Sequence, residues 1–300
     1  MKRTVTILLC LSLTSLLLLS ACLKKPELGT EENPIVWSFV PSGEKERVAA
    51  GAQSLIGMLQ EKTGLFFESD VAADYTAVLK GLSADPPTVH MASLATFAYI
   101  LAAERDAAEA ALVSIRRGSP IYRAQLIARR GSGIRKITDL KGKTFCRPDP
   151  LSTSGWVIPM LTMRAAGINP ENDLKEILDL GTHDSVVAAV YNGDVDAGST
   201  YEDARTLLQE EHPDVMQKVV VINVSIDIPN DGVQFVPAMP QEKRKIIVKA
   251  LLEIAETDEG KEALGTAYQW EALEEHDDSF YNPFRQVLQA SGLGIDTLQR

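Results

Sequence analysis

Short apolar or β-branched runs alternate with helix-period runs almost from end to end of this chain, a rhythm that calls for layered α/β architecture. Ile35 to Val40 reads as a strand, and Ser42 as the N-cap of a helix that carries Glu44 and Glu46 in its first turn, runs to about Thr63 and closes at Gly64. Leu65 to Val71, Thr88 to Ala92, Ala111 to Ile115, Gln125 to Ala128, Lys143 to Cys146, Lys175 to Asp179, Asp196 to Ser199 and Val219 to Val224 read as further strands. Helices are expected from Asp74 to near Gly81, from Ser93 to Glu104, from Asp184 to Tyr191 and from Tyr201 to Glu211. After Pro229-Asn230-Asp231-Gly232 the remainder reads as mostly helical, with Pro240 at a helix start and Glu271 to Asp278 a solvated helix face. The rhythm predicts largely parallel sheets, whose ligands sit beyond the carboxyl ends of the strands. Loops there carry Ser42, Asp74-Tyr75, Ser93, Ser152 to Ser154 and Thr182-His183, so two sheets meeting across them would enclose a polar cleft. The chain would cross between sheets near Tyr122 to Ala128 and near Ser225 to Asn230, giving one lobe of residues 35–124 plus 226–300 and another of residues 125–225.

Within that frame the run Asp149 to Trp156, D-P-L-S-T-S-G-W, is the strongest chemical signal. A strand ends just before it, and Trp156, Ile158, Leu161 and Met163 begin an apolar helical pattern that stops near Gly167. A helix entrance offers unpaired N–H groups and the positive end of the macrodipole, and Ser or Thr hydroxyls beside it add neutral donors. Three hydroxyls ahead of Gly155 favour a site for a small tetrahedral oxyanion over ordinary capping by Ser152 or Ser154. Trp156 either walls that pocket or packs the helix into the core.

At the N-terminus Lys2 and Arg3 precede an apolar stretch from Val5 to Leu19 and then Leu19-Ser20-Ala21-Cys22. This is the pattern of an export signal over residues 1–21, and the small residues before Cys22 resemble a lipobox, which implies cleavage there and acylation of the cysteine. Several acyl chains at about 0.8 kcal/mol per methylene would hold the protein on a bilayer, with residues 22–34 as a tether. Removing Lys2 and Arg3 from the 30 basic residues leaves 28 against 41 acidic, a net charge near −13. Such a surface excludes nucleic acid as a working partner, and it cannot steer an anion from afar, so any anion selectivity must come from local dipoles. Of the three cysteines, Cys10 lies in the signal and Cys22 is the lipid site, which leaves Cys146 alone as a buried structural thiol.

These residues resemble the substrate-binding lipoproteins of phosphonate, phosphite and phosphate ABC transporters. The resemblance rests on I-T-D-L-K-G-K at Ile137 to Lys143, D-P-L-S-T-S-G at Asp149 to Gly155, and G-T-H-D-S-V-V-A-A-V at Gly181 to Val190. G-D-V-D-A-G-S-T-Y-E-D-A at Gly193 to Ala204 and I-P-N-D-G at Ile228 to Gly232 extend it over essentially the whole mature chain. It implies a two-lobed periplasmic-binding-protein fold of the second type, with the ligand cleft between the lobes and hinge closure on a phosphorus oxyanion. It also implies an ABC permease as partner, a monomer held outside the cytoplasm by lipidated Cys22, no cofactor and no catalysis. By motif position Ser152, Thr153, Ser154 and Gly155 would hold the anion, with His183 reaching it from the next loop. Ser42, Tyr75, Ser93 and Tyr99 are first-lobe candidates by loop position, although the family often has Gly-Pro where this chain reads Ser93-Leu94-Ala95.

Asp203, or Glu202 beside it, stands where family members present a carboxylate to the ligand. A carboxylate next to an oxyanion repels it unless a proton or a cation lies between, so this group would accept from P–O–H or pair with an amino group. The other reading makes both residues the acidic first turn of the Tyr201 to Glu211 helix. His183 with Ser152 or Ser154 also admits a hydrolase, but no G-x-S-x-G elbow is present, and four histidines without H-E-x-x-H or paired cysteines give no metal site. A related binding protein for a sulfonate or an organic cation, or one that feeds a sensor, has the same sequence pattern.

Overall fold

The computed structural model describes residues 26–294; the signal, Cys22 and the start of the tether lie outside the described residues. Two sheets organise the chain. The first contains β1 (Ile35–Phe39), β2 (Phe67–Val71), β3 (Met91–Ser93), β4 (Glu109–Ile115), β10 (Gly232–Phe235) and β11 (Ala272–Glu275), in the order β11-β4-β10-β3-β1-β2. The second contains β5 (Ile121–Arg129), β6 (Thr144–Arg147), β7 (Glu176–Asp179), β8 (Ala197–Tyr201) and β9 (Val219–Pro229), in the order β7-β6-β8-β5-β9. Among the described residues no helix is long and apolar enough to cross a membrane.

Both sheets are mixed, a correction to the expectation of largely parallel ones. β1 runs parallel to β2 and β3, and β6 to β7 and β8, as helix crossovers require. β5, β9 and β10 pair antiparallel with their neighbours, because each meets or leaves its sheet at a lobe crossing and so runs opposite to the crossover strands. β5 belongs to the second sheet from Ile121 onward, so the first crossing lies at residues 116–120, ahead of the expected Tyr122 to Ala128, and the second at Asn230-Asp231. The first is a tight turn in which Arg116 and Ser119 exchange both backbone hydrogen bonds, with Arg117 at φ 53° and Gly118 at φ 68°. The second is tied to it: Asn230 N–H donates to Pro120 O at 2.8 Å, and its amide Nδ2 to Ser114 O and Ser119 O at 3.0 and 3.2 Å.

The helix Lys45–Thr63 buries Val48, Ala52, Leu55, Ile56 and Leu59, one apolar face at helical spacing. Gly51 lets it approach the helix Asp258–Tyr268, where a Cβ would stand 2.5 Å from Ala267 N. Its first turn begins at Lys45 without a side-chain cap, so Ser42 is not the N-cap. Ser93 ends β3 and the next helix begins only at Thr96. The Tyr201 to Glu211 helix is absent: Tyr201 completes β8, Asp203 takes a left-handed φ of 62°, and a single 3-10 turn spans Ala204–Leu208. Within Glu271 to Asp278 the chain forms β11 on the edge of the first sheet, with Leu273 buried and Glu274 and Glu275 in solvent. Cys146 sits in the second lobe's core against Val186, and burial pushes its thiol up to about 12.

Candidate functional site

The D-P-L-S-T-S-G corner leaves β6 and turns into a helix through one wide π turn, Thr153–Val157, ahead of Ile158–Ala165. Asp149 shapes its entrance by accepting the Leu151 N–H at 2.7 Å and, from the other lobe, the Tyr75 N–H at 3.4 Å. Ser152 Oγ accepts the Gly155 N–H at 3.1 Å, which is a capping bond, yet the same hydroxyl lies 3.4 Å from His183 Nε2. Ser152, Thr153 and Ser154 are buried between the lobes. Trp156 packs on Phe145 and under the Arg147 guanidinium, 4.2 Å from the ring centroid, so it belongs to the core rather than to the pocket wall.

Ser152 and Ser154 face a small cavity of ≈ 30 Å³. His183, at the start of the helix His183–Asn192, joins them, and Tyr75 and Ser42 complete the set of anticipated residues on that wall. Burial, and after it the charge of Arg116, push His183 down to about 3, so its imidazole is neutral, with Nδ1 2.8 Å from Thr200 Oγ1. Burial also holds the phenols of Tyr75, Tyr122 and Tyr201 protonated, the second raised to about 12. The cavity therefore presents hydroxyl and imidazole groups that keep their protons across the neutral range.

Five of the anticipated residues lie off this wall. Thr153 Oγ1 accepts the Phe97 N–H at 2.8 Å and so braces one lobe on the other. Ser93 accepts from Trp37 Nε1 at 3.1 Å beneath the cavity, and Tyr99 points away from it, donating to Asp278 at 2.5 Å and packing on Tyr281. Asp203 is spent on Arg117 at 2.8 Å and Arg205 at 3.2 Å outside the cavity, because its left-handed backbone turns it toward the crossing. Gly155 supports the corner from behind, where a Cβ would stand 2.3 Å from Pro148 Cγ.

The carboxylate on the wall is instead Asp231, and Arg116, Arg47, Tyr122, Tyr201, Tyr268 and Gln269 also line the cavity. Asp231 sits in the I-P-N-D-G run and Tyr201 in the D-V-D-A-G-S-T-Y run, so both had a signal in the motifs; the two arginines had none. A larger groove of ≈ 710 Å³ opens beside the crossings and shares Arg116, Tyr122, Tyr201 and Gln269 with the cavity. Two of its outer arginines are already paired, Arg117 with Asp203 and Arg123 with Asp227, and it lacks the converging Ser152 and Ser154 hydroxyls. The groove opens to solvent beside the smaller cavity, and the cavity is the candidate site. No catalytic triad forms there: the second nitrogen of His183 meets a hydroxyl, and Asp184 accepts from Glu44 N–H and Arg47 instead.

A family model described as "ABC transporter, phosphonate, periplasmic substrate-binding protein" matches residues 37–281. The phosphate-import protein PhnD of Mycolicibacterium smegmatis is 32% identical over 201 residues, 62% of this chain and 62% of that protein, so the match spans less than two thirds of that relative. The phosphonates-binding periplasmic protein of Escherichia coli is 23% identical over 282 residues, 92% of this chain and 82% of that protein. Among solved structures, a binding-protein component of an ABC phosphonate transporter from Pseudomonas aeruginosa superposes with a TM-score of 0.78 at 22% identity, covering 88% of this chain and 91% of that one. PhnD1 from Prochlorococcus marinus, in complex with methylphosphonate, superposes at 0.75 with 13% identity over 86% of this chain and 98% of that one. The two-lobed fold is common to all of these structures and this chain.

Proposed function

Since the chain belongs to the family of periplasmic substrate-binding proteins of phosphonate ABC transporters, we propose that its cavity captures a small phosphorus oxyanion, phosphate, phosphite or methylphosphonate, for release to a membrane permease. The observation that carries this reading is the convergence of the Ser152 and Ser154 hydroxyls, neutral His183 and the Tyr75 phenol on one small space of ≈ 30 Å³ between the lobes. Fixed neutral donors on a buried wall bind an anion without a net positive surface, in keeping with the acidic composition. A cavity that small, little more than the room two waters need, suits a single tetrahedral ion and not a nucleotide or a peptide.

Delivery follows from the hinge. Two adjacent crossings let the lobes part about residues 116–120 and 230–231, and opening exposes the ligand to a permease. Family membership puts the protein outside the cytoplasm; the Cys22 lipid anchor, the monomeric state and the permease partner are parts of this proposal. Turnover is not, since a histidine held down to about 3 is a poor general base for Ser152 near pH 7.

Calorimetric titration of the lipid-free protein, starting after Asn33, with phosphite, methylphosphonate, 2-aminoethylphosphonate, phosphate and sulfate tests the reading. Heat from at least one phosphorus oxyanion with sulfate silent is the expected result. Silence across the phosphorus compounds would mean that the corner caps a helix or serves another ligand.

A further inference from the structure

Asp231 is the carboxylate on the cavity wall, and its charge is already answered. Its Oδ1 accepts from Ser114 Oγ at 2.9 Å and from Trp270 Nε1 at 3.3 Å, both from buried side chains. Its Oδ2 faces Arg116 Nη2 at 2.9 Å. The guanidinium of Arg116 is held in turn between two rings, 5.8 Å from the centroid of Tyr122 and 5.7 Å from that of Tyr201. Each member of the pair is only 16% exposed. Neutral donors fix where Asp231 points, but Arg116 cancels its charge.

We propose that the Arg116–Asp231 pair determines which phosphorus oxyanions enter: those whose fourth substituent is small and uncharged are accepted, and phosphonates that carry an ammonium group are turned away. The inference rests on the ligand reading above. An anion beside a bare Asp231 would be repelled, and the bound arginine removes that repulsion. An ammonium group would gain from a bare carboxylate, but here it meets the guanidinium first. Removing one partner of a buried ion pair leaves an uncompensated charge, which is a strong demand for a new counter-ion. Arg116→Gln would thus turn Asp231 into a receptor for ligand ammonium.

The test compares methylphosphonate with two longer ligands of equal size, propylphosphonate and 2-aminoethylphosphonate, which differ by a methyl against an ammonium group. The wild-type protein is expected to bind methylphosphonate, and to bind 2-aminoethylphosphonate no tighter than propylphosphonate. In Arg116→Gln, 2-aminoethylphosphonate should gain about tenfold or more, and Arg116→Gln/Asp231→Asn should lose that gain. Wild-type preference for the ammonium ligand over its isostere by about tenfold would overturn the proposal, as would a folded Arg116→Gln without the gain. Should Arg116→Gln fail to fold, the wild-type comparison of the two isosteres decides alone. If no phosphorus compound binds the wild-type protein, the ligand reading fails and the role of the pair falls with it; methylphosphonate bound together with an ammonium preference refutes the pair's role only.

Discussion

Arg47, in the first turn of one lobe's long helix, reaches across the cleft to Asp184 of the other, with Nη2 3.4 Å from Oδ2. The same carboxylate oxygen accepts the Glu44 N–H at 3.0 Å, and beside them Ser42 O accepts the His183 N–H at 3.2 Å. On the opposite side of the cavity Tyr201 donates to Gln269 Oε1 at 3.0 Å. These bonds tie the two lobes together around the cavity, which Arg47, Tyr201 and Gln269 also line, so they favour the closed arrangement in addition to any contact with the ligand. Both charged side chains keep roughly a quarter of their surface in solvent, 26% and 20%. A pair of that exposure is worth about 0.2–1 kcal/mol. Asp184→Asn is therefore expected to weaken ligand affinity by about two- to fivefold, mostly through faster release, with the fold intact. Unchanged affinity and release rate by stopped-flow would show that closure owes nothing to this pair.

Thr153 and Ser154, neighbours in the chain, separate the two duties of the corner. Ser154 lines the cavity, whereas Thr153 Oγ1 takes the Phe97 N–H from the facing lobe. Ser154→Ala removes one donor to a charged ligand, about 1.5–3 kcal/mol, so affinity should fall by roughly ten- to hundredfold with the melting temperature of the free protein unchanged. Thr153→Val leaves a buried N–H without its acceptor and should lower affinity through weaker closure, with small-angle scattering of the liganded protein shifted toward a larger radius. If Ser154→Ala binds as tightly as the parent, the proposed anion site is wrong.

His183 gives the protein an acid-sensitive term whose sign is fixed. Its folded pKa of about 3 lies below the ordinary 6.5, so at intermediate pH the unfolded chain binds the extra proton. The neutral histidine costs nothing above about pH 6.5, and stability is lost as pH falls from there toward 3, by up to about 1.4 kcal/mol per pH unit. Melting curves of the ligand-free protein between about pH 7.5 and 4 should therefore fall more steeply for the wild type than for His183→Gln. Parallel curves would mean that His183 is not held neutral by its surroundings.

The D-P-L-S-T-S-G corner, the strand–helix alternation and the place of His183 were legible because each is local: a run of residues and a turn between two elements. The Arg116–Asp231 pair was not, since 115 positions separate its members and only the return of β10 beside β4 brings them together. The expected carboxylate was a sound requirement of charge, but it fell on Asp203, whose backbone at φ 62° turns away from the cavity, while Asp231 is the carboxylate that lines it. Tyr201 illustrates how tertiary pairing overrides local helical pattern: its register opposite Ala124 completes β8. Glu271 to Asp278 misled for a related reason, because an edge strand with Leu273 inward and carboxylates outward has the composition of a solvated helix.

Gly155 is the point at which corner shape and binding are most tightly joined. A methyl there would stand 2.3 Å from Pro148 Cγ, 2.5 Å from its Cδ and 2.7 Å from Ser152 Oγ. Pro148 follows the last residue of β6, and its rigid ring cannot swing aside, so the π turn would have to move instead. That movement strains the bond from Gly155 N–H to Ser152 and the one from Ser199 to the Gly155 carbonyl. Overpacking of this kind costs about 1–3 kcal/mol. Gly155→Ala is accordingly expected to lower the melting temperature and to weaken binding more than Ser154→Ala does, because it displaces both cavity-facing hydroxyls at once. Gly57→Ala is the matched control: it lies on the exposed side of the helix Lys45–Thr63 with nothing within 4 Å, and should leave stability equal or slightly higher. A Gly155→Ala protein that melts and binds like the parent would show that the corner has room the geometry denies.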